Sequence, residues 1–159
     1  MKNLSIFLAA TAIIIGASSC KKTSSNGSIS QWNYNGTNYQ SSSTVFATEG
    51  SVSIIEANDV KDTVTNFVLV EFGSKPVNNE KFSVIDAMSG TLDSASCGIV
   101  TGSVDSTQVP NLLGQSAGST IDSVTVTIVN GKYHVSFANV TMQEYSEIFT
   151  GVSGTLIQQ

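Results

Sequence analysis

The sequence predicts an all-β chain: an antiparallel sandwich of two sheets, with a closed β-barrel as the alternative architecture. Three observations carry this. Short runs rich in β-branched and aromatic residues alternate with Gly/Ser/Asn clusters at the spacing of strands and turns. The Asn-Gly dipeptides at 35–36 and 130–131 stand between alternating residues, a strong hairpin signal because a type I′ turn needs positive φ at both central positions. Segments with a helical period are thin throughout.

In chain order, SQWNYNGTNYQ (30–40) is the first hairpin. A loop at Asn35-Gly36 sets Tyr34 opposite Thr37, Asn33 opposite Asn38 and Trp32 opposite Tyr39, giving one aromatic face and one amide-rich face. Strands are expected at 43–48, 51–57, 65–72, 81–87 and 97–104. The segment TNFVLVEF (65–72) is apolar at nearly every position, as expected of a central strand covered on both faces. Pro110-Asn111-Leu112-Leu113 reads as the opening of a helical turn. Thr141 with Glu144 matches a capping box ahead of a short helical segment.

The clearest element is SVTVTIVNGKYHVSF (123–137). With Val129 opposite Lys132, Ile128 meets Tyr133, Val126 meets Val135 and Val124 meets Phe137 on one face. Thr127 then meets His134 and Thr125 meets Ser136 on the other, the division a half-buried hairpin requires. Val152, Gly154 and Leu156 alternate in the closing strand.

The N-terminus reads differently. Lys2 is followed by an apolar run from Leu4 to Ser18, shorter than the roughly 20 residues that span a bilayer, which is the pattern of an export signal. Residues 1–19 are therefore expected to be a signal peptide, 20–30 a Ser/Gly/Asn-rich flexible linker, and 31–159 a single β-sandwich domain.

The whole chain carries a net charge of −5; losing residues 1–19 removes Lys2 and no acid, leaving six lysines against twelve acids, or −6. An acidic chain without arginine argues against nucleic acid as a partner and against bidentate phosphate recognition. A hydrophobic fraction of 40% is enough for a packed core and argues against disorder.

Ala17, Ser18 and Ser19 before Cys20 resemble a bacterial lipobox. That resemblance implies cleavage before Cys20, diacylglyceryl attachment to its sulfur and N-acylation with a fatty acid such as palmitate. Several acyl chains, at about 0.8 kcal/mol per buried methylene, make a firm anchor. Acylation of Cys20 would leave Cys97 unpartnered, so no disulfide framework is expected, and Cys97 reads as a small buried hydrophobe.

SSCKK with its polar linker, the W-x-Y-N-G-x-x-Y hairpin, NFVLVEF before a Pro-containing turn, and the final VSGTL strand together resemble the small uncharacterised outer-membrane lipoproteins of Bacteroidetes. The resemblance implies an envelope location and a sandwich-like fold, and it transfers no catalytic residues. Lys21 and Lys22, where surface-displayed members often carry acids, favour the periplasmic face of the outer membrane over the cell surface. It also implies O-glycosylation at Asp-Ser/Thr motifs, here at Thr63, Ser94, Ser106 and Ser123.

Candidate chemistry is sparse. GQSAG (114–118) has the G-x-S-x-G form of a nucleophile elbow around Ser116, but no helix follows and the only histidine, His134, falls on the polar face of a hairpin. A loop between strands explains GQSAG better. One histidine is too little for a metal site or acid–base work. EANDVKD (56–62) reads as an acidic inter-strand loop with oxygen ligands of the kind Ca²⁺ takes, at a spacing that does not fit an EF-hand. Trp32, Tyr34 and Tyr39 either stack on sugar rings or anchor the first hairpin to the core. The expectation is a non-enzymatic, lipid-anchored binding or structural accessory without cofactor or metal, its partners being the membrane through Cys20 and a glycan or envelope protein. The alternatives are a carbohydrate-binding module of a glycan-uptake system and a hydrolase using Ser116.

Overall fold

The computed structural model describes residues 29–159 apart from 106, 108, 145 and 146. Among these residues there is no helix, and eleven strands run in the order β1 (Gln31–Tyr34), β2 (Thr37–Gln40), β3 (Ser43–Glu49), β4 (Val52–Lys61), β5 (Val64–Phe72), β6 (Glu80–Val84), β7 (Ser96–Val104), β8 (Pro110–Ser116), β9 (Ser123–Val129), β10 (Lys132–Glu144) and β11 (Glu147–Ile157). The all-β expectation holds.

Hydrogen bonding runs without a break along the path β2-β1-β11-β10-β9-β6-β7-β5-β4-β3, and β8 bridges β7 to β10. A ring of strands, β10-β9-β6-β7-β8, therefore closes within the sheet. The sheet is antiparallel except at β6–β7, where Ser83 meets Ser96 and Val84 meets Cys97 in parallel. The connection at 85–95 crosses over to make that pairing, as parallel neighbours require.

The two ends of the path meet at a polar seam. Ser41 N–H donates to the Ser30 carbonyl at 2.9 Å, the Ser30 and Thr44 hydroxyls are 2.7 Å apart, and Gln159 N–H donates to the Thr44 carbonyl at 3.2 Å. Phe46 on β3 stacks on Tyr133 on β10 with ring centroids 3.8 Å apart. The roll so formed shares one core: Ile55, Val68, Val70 and Ile99 from β4, β5 and β7 join Trp32, Val126, Val135, Phe137, Val152 and Leu156 from the other arm.

Turn chemistry fixes the hairpins. Asn35-Gly36 and Asn130-Gly131 both have positive φ at both positions (46° and 81°, 52° and 78°), the geometry of type I′ turns. The pairing in both hairpins is the expected one, from Trp32–Tyr39 and Tyr34–Thr37 to Val124–Phe137. Asn33 Nδ2 donates to Asn38 Oδ1 at 2.8 Å on the amide face. β5 lies between β4 and β7 and is buried from Phe67 to Phe72.

Elsewhere tertiary pairing overrides local signals. Pro110–Leu113 belongs to strand β8, whose pairing with β7 supplies its backbone hydrogen bonds, with Leu113 bulged out between Leu112–Gly102 and Gly114–Thr101. Thr141 and Glu144 continue β10, paired with Thr150 and Glu147 of β11, so no helix is capped there. β4 runs through Lys61, turning most of the expected acidic loop into strand, and β6 ends at Val84 rather than 87. Ser30, placed by sequence in the linker, is buried in the seam.

Candidate functional site

Strand parity gives the interior of the roll its levels. Across β4, β5 and β7 the inward positions are Ser53–Phe72–Cys97, then Ile55–Val70–Ile99, then Ala57–Val68–Thr101. At the next level all three strands turn polar together: Asp59 faces Asn66, Asn66 faces Ser103, and Ser103 faces Asn111 on β8. The roll thus has a polar mouth above an apolar interior.

Aromatic residues floor this mouth. The Tyr34 hydroxyl donates to the Leu113 carbonyl at 2.6 Å and lies so close to Gly114 that a Cβ there would stand 2.4 Å from the hydroxyl oxygen. Burial, with the nearby Glu144 carboxylate and Tyr39 adding to it, pushes the Tyr34 phenol up to about 12. Trp32, only 2% exposed, stacks on Tyr39 with centroids 5.1 Å apart and planes 13° from parallel. Lys61 Nζ lies 5.7 Å from the Tyr39 ring centroid and 3.0 Å from Asp59 Oδ2. Asp59 is 5% exposed, and the ammonium is not in line for a hydrogen bond. Oδ2 is left without one, as is Trp32 Nε1.

A second polar cluster lies on the opposite face of the same strands. Glu56 and Glu71, each 1% exposed, sit in an apolar cluster of Ile54, Phe67, Leu69, Val100 and Ala87. Glu56 pairs with Leu69 and Glu71 with Ile54, which makes the two acids diagonal neighbours on one face. Asn58 Nδ2 donates to Glu56 Oε1 at 2.8 Å; Glu56 Oε2 and both Glu71 oxygens have no partner. Burial pushes each carboxyl up to about 7, the Asn58 bond opposing it at Glu56.

The expected site residues fall as follows. Cys20 and Ser106 lie outside the described residues. Thr63 is exposed in the turn after Asp62, and Ser94 is exposed in the β6–β7 connection. Ser123 is half-buried in strand β9, paired with Ser83. Ser116 is fully buried: its hydroxyl donates to the Ile85 carbonyl at 2.7 Å and accepts the Ile99 N–H at 3.1 Å. It sits on a strand, not an elbow, buried and with its oxygen engaged in two backbone bonds. His134 is half-buried on β10 between Thr127 and Ile157. Burial pushes the Cys97 thiol up to about 12, which leaves it an inert hydrophobe. Glu56, Asp59 and Asp62 do not converge: the first faces outward, the second inward, and the third is in the turn at φ 54°. The calcium-type loop is therefore not formed. No group of three potential metal-ligating side chains of the His/Cys/Asp/Glu type occurs among the described residues.

Trp32 and Tyr34 are core residues, and Tyr39 holds Trp32 on its ring and Lys61 nearby. The trio offers no free indole face for a sugar. Sequence reasoning did not single out Asn66, Ser103 and Asn111, and it gave Glu144 a helix-capping role. The signal was present as polar residues in phase at strand ends, but it becomes visible only when the pairing of four strands is known.

Comparison with protein-family models, with curated proteins and with solved structures returns no match to this chain.

Proposed function

We propose that the protein is a lipid-anchored, non-catalytic accessory of the cell envelope, held by acyl chains on Cys20 at the periplasmic face of the outer membrane and binding its partner at the polar mouth of the roll. The observation that carries the anchoring is the order of parts: an export-type run, a small-residue approach to Cys20, then a short polar linker into a β domain. Ser30 is already bonded into the fold, its hydroxyl accepting the Ile157 N–H at 2.7 Å. At no more than about 3.6 Å per residue, the chain from Cys20 to Ser30 reaches roughly 35 Å, which keeps the domain close to the bilayer.

Support for binding over hydrolysis comes from Ser116, whose hydroxyl is spent on backbone bonds, and from the mouth, where polar groups collect without a nucleophile–base pair. The test is Cys20→Ser in the native host. Metabolic labelling with a fatty-acid analogue should disappear and the protein should leave the membrane fraction. A variant that stays labelled and membrane-bound would overturn the anchored reading.

A further inference from the structure

We infer that the β6–β7 connection, residues 85–95, is a pH-gated strap: it lies closed over the outer face of β4, β5 and β7 while Glu56 and Glu71 are protonated, and lifts when they ionise. This holds independently of how the chain is anchored and of what the mouth binds. Two apolar clusters share these three strands. The inner one, with Ile55, Val68, Val70 and Ile99, is sealed by the other arm of the roll. The outer one comprises Ile54, Phe67, Leu69, Val100 and Val104, and among the described residues its only buried member from outside the three strands is Ala87 of the connection. The connection also passes beside Glu71. Gly73, two residues on and on the same face, donates its N–H to the Ser96 carbonyl at 3.1 Å, and a Cβ on it would run into the Asp93 carbonyl. Lifting the strap therefore uncovers the outer cluster and leaves the inner one packed.

The strap is tied to the sheet near its ends. Ile85 N–H donates to the Cys97 carbonyl at 2.9 Å, Ala87 N–H to the Ser116 carbonyl at 3.0 Å, and Ser74 Oγ to the Ser94 carbonyl at 2.9 Å. In between, the Met88 and Ser89 N–H groups donate to Asp86 Oδ1 and the Gly90 N–H to the Asp86 carbonyl, bonds that hold the turn to itself. Beneath it, three of the four oxygens of the two glutamates have no donor, so ionisation under the closed strap leaves charge among apolar side chains with a second acid beside it. Among the described residues no cation faces the pair. The other titratable groups on this face are acids: Glu49 on β3, and Asp86 and Asp93 on the strap, while β7 and β8 bring none. Lys61 belongs to the inner face with Asp59, and Lys75, exposed after β5, forms no ion pair with either glutamate. Burial accordingly raises both carboxyls to about 7, and exposure to water returns them toward 4.5. The preference for the closed strap is thus fully present below about pH 4.5 and is lost as the pH rises through about 7.

Hydrogen exchange of single amides, followed by NMR on the full-length protein in detergent micelles and corrected for the intrinsic rate at each pH, reads the opening directly. The reporter is the Ala87 amide, whose bond to Ser116 breaks when the strap lifts; the reference is Val126 and Val135 at the centre of the β9–β10 hairpin. Between about pH 5 and about pH 8 the protection of Ala87 should fall about tenfold or more. At every pH it should stay about tenfold or more below that of Val126 and Val135, because lifting the strap costs less than unfolding the roll. Glu56→Gln with Glu71→Gln should make the Ala87 protection level with pH. Glu71→Gln alone should remove part of the fall, and it serves if the double variant does not fold. The inference is overturned if the Ala87 protection does not change with pH in the parent, or if the glutamine variants keep the parent's full slope. It is overturned equally if Ala87 and the hairpin amides show the same protection at every pH, since the opening is then unfolding of the whole roll.

Discussion

Glu56 and Asp59 lie three residues apart on β4, and that odd spacing sends them to opposite faces of the sheet. On the inner face Asp59 shares its level with Asn66 and Ser103 and has the Lys61 ammonium 3.0 Å away. On the outer face Glu56 and its diagonal neighbour Glu71 stand among Ile54, Leu69, Phe67 and Val100, with the Asn58 amide donating to Glu56 and no donor at Glu71. The acids on the two faces have similar burial but different surroundings. Burial of a carboxyl is tolerated in two ways, by supplying polar neighbours or by keeping the proton, and this sheet uses one on each side.

The largest expected effect tests the outer face. Both glutamates hold their protons up to about 7 in the fold against an ordinary value of 4.5. Folded-state pKa values raised in this way mean the native chain retains protons the unfolded chain has lost. The stability these two groups contribute should therefore be fully present below about pH 4.5, fall as the pH rises toward 7, and level off above it. At about 1.4 kcal/mol per pKa unit the fall is on the order of 3 kcal/mol for each group. Denaturant midpoints measured from pH 4.5 to 8 should show this slope, and Glu56→Gln with Glu71→Gln should flatten it. A double variant with an unchanged slope would mean the outer face is not where the pH dependence arises.

A smaller effect probes the inner face through the Tyr34–Gly114 contact. Gly114→Ala forces a methyl to within 2.4 Å of the Tyr34 hydroxyl, beside the bond to the Leu113 carbonyl. Overpacking of this kind costs roughly 1–3 kcal/mol. Tyr34→Phe alone loses one hydrogen bond, about 1 kcal/mol. Because Tyr34→Phe removes the atom the new methyl strikes, the double variant should be less destabilised than the two singles added together. Strict additivity in a double-mutant cycle would show that the methyl is accommodated elsewhere.

Particular residues show how far the sequence could take this picture. The hairpins at Asn35-Gly36 and Asn130-Gly131 were legible to the residue, since a two-residue turn fixes pairing locally and alternation fixes the faces. TNFVLVEF was legible as a doubly covered strand because a run apolar at both parities has no solvent face to offer. Pro110–Leu113 and Thr141–Glu144 were not, because β8 and the end of β10 are strands through pairing that no Asn-Gly turn signal announces: Pro110 with Val104, and Glu144 with Glu147. The parallel β6–β7 pair was hidden for the same reason. Glu71 reads as an ordinary acid inside a strand, and only the apolar surroundings supplied by β4, β7 and the β6–β7 connection make it unusual.

The smallest effect separates the two ways of burying a carboxyl most sharply. Lys61 is 62% exposed, so its attraction to Asp59 acts through water, and its distance to the Tyr39 ring is that of a weak cation–π contact. Lys61→Met should then cost less than about 1 kcal/mol, since exposed ion pairs are typically worth no more. The cost should shrink further in 1 M salt, where the screening length is only about 3 Å. Asp59 would still have the polar level of Asn66 and Ser103 around it. If Lys61→Met instead costs roughly 3 kcal/mol or more and is indifferent to salt, the pair behaves as a buried one. The ammonium, rather than the polar level, would then be what makes the inner carboxylate tolerable.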